Sequence, residues 1–160
     1  MTTIVQRATA GAAAGLAATG IMTVAMAGAK KAGVLGEMPP RKLTRRLLAP
    51  LAPFLLNDDT LDLATTAAHL GFGAAMGSIF AAPRRTSPSA VGGAVFGLGV
   101  WTATYAGIIP KLGLMRTPGN DRLGRPTSMI VAHLVYGASL GALYRRWLRR
   151  RPVELTSDAK

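Results

Sequence analysis

The chain has 160 residues, 49% of them hydrophobic, with 19 glycines, no cysteine and a formal charge of +12. That length suits one domain, and the absence of cysteine excludes disulfides and thiol chemistry. The cations flank apolar stretches without aromatic interleaving, which argues against a nucleic-acid surface and for topology signals that touch lipid phosphates.

The charges are segregated. Ala8 to Ala29 carries none, Leu63 to Ala82 only His69, Thr86 to Pro110 none, and Pro126 to Tyr144 only His133. Each stretch is long enough to cross a hydrocarbon core of about 30 Å as a helix. A soluble bundle of the same size needs a polar stripe on every helix, and these segments offer none. The expected fold is an all-α integral membrane protein with four transmembrane helices at about 8–29, 61–82, 88–110 and 127–146. A basic connection over 30–60 and a polar tail over 147–160 complete a single polytopic domain.

The first stretch, with Arg7 before an Ala/Gly run and Ala25-Met26-Ala27 after it, imitates a secretory signal and its small-residue cleavage site. It also matches an internal segment: Gly11 to Ala17 resembles Gly93 to Gly99, and Lys31 to Leu35 resembles Lys111 to Met115. A discarded leader has no reason to do so, and the first helix is expected to be retained.

In the basic connection, Pro39 and Pro40 are expected to stop any helix. Arg41 to Leu48 then mixes cations with leucines, as a segment lying in the headgroup region would; an ordinary basic loop is the other reading. Asn57-Asp58-Asp59-Thr60 supplies acceptors for the start of the second helix, and Asp62 fits a capping role there.

The second helix holds His69-Leu70-Gly71-Phe72-Gly73-Ala74-Ala75-Met76-Gly77. The fourth returns it 64 positions later as His133-Leu134-Val135-Tyr136-Gly137-Ala138-Ser139-Leu140-Gly141, with five of nine residues identical. With the matches between the first and third helices, this suggests two repeated helical hairpins in parallel relation, which would bring the histidines to similar depth. Chance likeness among Gly/Ala-rich helices is the competing reading. Each helix also has glycines four apart: Gly11 and Gly15, Gly73 and Gly77, Gly93 and Gly97, Gly137 and Gly141. In lipid, such small-residue faces allow the close backbone approach that drives packing, within one chain or between chains.

His69, His133 and Asp62 form the candidate polar intramembrane site, since ionisable groups in a span usually face protein or water. Three readings stay open. The imidazoles could bond across the bundle to a carbonyl or to Thr65, Thr66, Thr102, Thr104 or Ser139. They could titrate with Asp62 along a proton path, although Asp62 lies about 10 Å from His69 by helix rise. They could ligate a haem or metal, against which stand the glycines that draw the helices together and the lack of a Cys or carboxylate cluster. No cofactor, metal or catalytic residue is therefore expected, and no nucleotide loop, HExxH or nucleophile elbow occurs. Glu37 and Asp121 fall in connections without an evident partner.

Orientation is finely balanced, with nine Lys/Arg on the face of the termini and ten on the opposite face. The arginines packed around the fourth helix favour cytoplasmic termini. The expected partners are a bilayer with anionic headgroups and a second copy or another membrane protein. A Gly/Ala-rich first helix followed by Pro39-Pro40-Arg41, a third helix ending Ile109-Pro110-Lys111-Leu112-Gly113-Leu114, and Ala132-His133-Leu134-Val135-Tyr136 before Arg145-Arg146 resemble the YagU-like bacterial inner-membrane proteins. That resemblance implies a small polytopic inner-membrane protein of undefined biochemical role and brings no catalytic residues. The shorter connections and the second His segment depart from it. The functional expectation is a non-enzymatic structural or accessory membrane protein, with a small transporter or proton conductor as the alternative.

Overall fold

A computed structural model of the chain describes residues 3–33, 39–55, 57–84, 88–114, 116–121 and 124–150. Five helices occur in order and, among the described residues, no strand. They are α1 (Ile4–Lys31), α2 (Pro39–Leu48), α3 (Asp58–Ala81), α4 (Ala90–Lys111) and α5 (Arg125–Arg149). All but α2 are long and apolar enough to cross a membrane; the shortest, 22 residues, rises about 33 Å. Single 3-10 turns sit at Pro53–Leu55 and Pro118–Asn120. Glu37, Thr86 and Ser87, and the tail beyond Arg150 lie outside the described residues.

Local chemistry sets the ends. Thr3 and Gln6 form a reciprocal capping box, Asn57 accepts from the Thr60 N–H, and Ser89 accepts from the Gly92 N–H. Gly33 at φ 75° and Gly124 at φ 85° take the left-handed conformation that turns the chain out of α1 and into α5. The spanning helices extend beyond the uncharged stretches, taking in Arg7, Asp58, Asp59, Arg145 and Arg146. Of these, Arg7 is buried and donates from Nε to Ala82 O at 2.9 Å, while Asp58, Asp59 and Arg146 are exposed.

Two expectations near α2 are corrected. Pro39 and Pro40 do not exclude a helix; they begin one, at positions whose missing N–H would have no partner anyway. Asp62 does not cap α3, because Asn57 holds that place. Instead Asp62 Oδ1 accepts from Arg41 Nε at 2.6 Å, while Arg41 Nη2 meets Asp58 at 2.6 Å. Asp62 and then Asp58 push the Arg41 pKa up, and this pair of contacts pins α2 to the first turns of α3.

α1 and α5 form the centre. In each, 39% of the most apolar window is buried, against 17% in α3 and 22% in α4. α3 packs antiparallel on α1, α4 antiparallel on α5, and α1 against α5. Ala18, Met22 and Met26 of α1 meet Met129, Ala132, Tyr136, Leu140 and Tyr144 of α5 in the core. Phe80 of α3 joins it to α4 through Phe96, ring centroids 5.0 Å apart. The outward faces are apolar too: Val24, Leu63, Ile79, Val91 and Val95 are exposed, as suits a bundle whose solvent is hydrocarbon.

α4 departs from α-helical geometry over Thr102–Ile108, where it widens into a π-helix and the Ile109 N–H reaches back to Thr104 O. Pro110 accounts for the place. It lacks an N–H, and its ring would press on the carbonyl four residues earlier, a crowding that the wider turn relieves.

Candidate functional site

The eight glycines lie at two helix contacts. A Cβ built on Gly11 or Gly15 would come within 3.0 Å of Gly77 or Gly73 backbone atoms, and one on Gly77 would lie 2.9 Å from Gly15 Cα. On the other pair, a Cβ on Gly93, Gly97 or Gly137 would meet the facing backbone just as closely, and one on Gly141 would stand 2.6 Å from Ser89 O. Each of these contacts is between helices of the same chain, so these faces are not left open for a second copy. By contrast Gly20, Gly28, Gly71 and Gly99 have nothing within 4 Å of such a Cβ.

The two contacts are one turn out of step. Gly11 faces Gly77, but its counterpart Gly93 faces Gly137, which corresponds to Gly73, and Gly97 faces the carbonyl of His133. The central packing of α1 on α5 also has no equal between α4 and α3. The sequence likeness of the halves is therefore not carried into a symmetric pair of hairpins.

α3 and α5 run parallel and level. Tyr136 donates its buried hydroxyl to Gly73 O at 2.8 Å, and Tyr144 Oη lies 3.5 Å from Ala81 O. His69 and His133 each sit one turn before this Gly73–Tyr136 contact. His133 Nδ1 lies 2.7 Å from Met129 O on its own helix, and this contact requires the proton on Nδ1. His69 Nε2 and Thr65 Oγ1 are buried without a hydrogen-bond partner. The named hydroxyls do not serve the histidines: Thr66, Thr102 and Thr104 each return to a carbonyl four residues back in their own helix. Asp62, bound to Arg41, is not brought to the histidines. Among the described residues, no three His, Cys, Asp or Glu side chains gather.

At the end of the bundle where α1 finishes and α5 begins, a second site escaped the sequence reading. Asp121 accepts from the Tyr105 hydroxyl and pairs with Arg125 at 3.0 Å, the two side chains only 5% and 11% exposed. Tyr105 reaches it from the π-helical stretch of α4. Asp121 and Arg125 form one wall of a cleft of about 710 Å³ whose other walls include Lys42, Arg46 and Arg116. Arg46 donates to the carbonyls of Gly113 and Leu114, tying α2 to the connection that leaves α4. The signals available beforehand were the density of cations at Arg41 to Arg46 and the spacing of four between Asp121 and Arg125; Tyr105, 16 residues before Asp121, lies too far along the chain for local spacing to show.

The arrangement defines a class: an all-helical protein with four helices able to cross a membrane, polar groups gathered at its ends and a packed interior. The family model of a family of unknown function, DUF6789, matches residues 5–155, and the chain belongs to that family. Membership carries neither the YagU-like name nor a bacterial source. No curated protein and no solved structure matches the chain.

Proposed function

We propose that this protein is a small, non-enzymatic, multi-pass component of a bacterial-type inner membrane, structural or accessory in role and built by glycine-mediated helix packing. The observation that carries the reading is the backbone-to-backbone approach at Gly11, Gly15, Gly73 and Gly77 and at Gly93, Gly97, Gly137 and Gly141. Such contacts give a rigid bundle in lipid, where burial of apolar surface supplies little force between helices. Because these faces are occupied within the chain, association with itself or a membrane partner would use the outward faces of α3 and α4, the least buried of the four. Kinship with the YagU-like proteins and origin of the halves as repeated hairpins rest on the sequence segments alone. We assign both termini to the cytoplasmic side; a C-terminal reporter active only outside the cytoplasm would reverse that assignment.

A second reading is favoured by one observation, the buried and unpartnered His69 Nε2, which like His133 lies one turn before the Gly73–Tyr136 contact. A titrating pair there would suit a small transporter or proton conductor. Purified protein in liposomes loaded with a pH-sensitive dye separates the two. Flux absent from the wild-type protein supports the packing role. Flux present in the wild type and abolished in the His69→Ala/His133→Ala double variant overturns it in favour of conduction.

A further inference from the structure

The cleft at the α5 start is built to hold negative charge. Of its ionisable walls, Asp121 is taken up by Arg125 at 3.0 Å and by Tyr105. That leaves Lys42, Arg46 and Arg116 as positive charge not balanced, among the described residues, by another acid lining the same cleft. The Gly113 and Leu114 carbonyls that receive Arg46 fix its position without cancelling its charge. Arg125 Nε is buried and has no hydrogen-bond partner. Arg125 also opens α5, whose N-cap is Gly124 and which has no side-chain cap, so the positive end of a 25-residue helix meets the same place.

The cleft lies at the end of helices long and apolar enough to cross a membrane, a level at which lipid headgroups offer anions. Around the cleft, α2 and the turn after it expose Leu47, Leu51 and Phe54, apolar side chains suited to the boundary layer of a bilayer.

We propose that this cleft binds the phosphate of an anionic phospholipid. The proposal rests on the spanning reading above and adds a discrete, selective lipid site to it. Lys42, Arg46 and Arg116 supply the charge-assisted contacts to the phosphate, and Asp121 holds Arg125 in place as a positioning residue.

The test uses the full chain purified in a neutral detergent, with phosphatidylglycerol, phosphatidylcholine and inorganic phosphate titrated separately and bound lipid counted by native mass spectrometry. Phosphatidylglycerol is expected to bind at a stoichiometry of one, with phosphatidylcholine and phosphate much weaker. Removing each of Lys42 and Arg116, whose side chains make no bond that holds the fold together, should weaken it about fivefold. Arg146→Ala, at the far end of the bundle, should leave it unchanged. Equal binding of inorganic phosphate, equal binding of phosphatidylcholine, or equal loss in Arg146→Ala would overturn the proposal. Failure of the spanning reading shows separately, as protein that stays monodisperse in buffer after detergent is withdrawn.

Discussion

Gly77→Ala measures how closely α1 and α3 approach. The added Cβ would stand within 3.0 Å of the Gly11 backbone and 2.9 Å from Gly15 Cα, whereas ordinary contact begins near 3.4 Å. Backbone atoms cannot rotate away, so the helices must part by about 0.5–1 Å, a gap that forfeits roughly a quarter to a half of each dispersion contact across the seam. With on the order of forty atom pairs at about 0.15 kcal/mol each, the loss is about 2 kcal/mol, within the usual cost of overpacking. Alanine opposes this by up to about 1 kcal/mol through its better helix propensity. Gly71→Ala, whose Cβ meets nothing within 4 Å, receives the propensity gain alone. The difference between the two variants cancels propensity and should be about 2 kcal/mol, Gly77→Ala being the weaker. Reversible unfolding in mixed micelles, with sodium dodecyl sulfate titrated against a mild detergent and helicity followed by circular dichroism, gives both values. Stabilities that agree within about 0.5 kcal/mol would show that no close seam exists at this position.

In the same titration Tyr136→Phe should cost about 1 kcal/mol, the net worth of its buried hydroxyl bond to Gly73 O; no change would mean that the level alignment of α3 and α5 does not depend on it. Asp121→Ala removes the acceptor of Tyr105 and strands Arg125, so a loss of about 3–5 kcal/mol is expected, with Asp121→Asn losing less because it keeps an acceptor. Arg41→Ala frees α2 from Asp58 and Asp62. Hydrogen exchange should then accelerate across Pro39–Leu48 and leave the α1 core unaffected, and high salt acting on the wild type should do part of the same.

The spanning helices were legible because hydrocarbon excludes charge along a whole segment, and a run such as Thr86 to Pro110 shows that without any knowledge of neighbours. Their ends were less so. The sequence reading starts the first two spans at Ala8 and Leu61, while the peptide ladder begins earlier and takes in Arg7, buried with its Nε donating to Ala82 O, and the exposed Asp58 and Asp59. α2 was hidden by a rule applied in the wrong place, since Pro39 and Pro40 obstruct the interior of a helix and suit its first turn. The cleft was hidden by distance: Asp121 finds Tyr105 16 residues back, and Arg41 finds Asp62 21 residues on, separations that no local spacing rule connects.

The halves of the chain illustrate a limit of a different kind. Glycines placed four apart present the same bare surface after a slide of one turn, so a Gly-x-x-x-Gly face names the side of a helix that will be approached but not the level at which its partner sits. Gly11 settles opposite Gly77 and Gly93 opposite Gly137, and both pairings satisfy the same local pattern. What selects between them comes from bulkier residues that tie one helix to another: Phe80 of α3 against Phe96 of α4, and Tyr136 of α5 on Gly73 of α3. Small residues permit the approach and large ones fix its register. It follows that enlarging a glycine should weaken a seam, whereas trimming an aromatic such as Phe96 should let its seam slide.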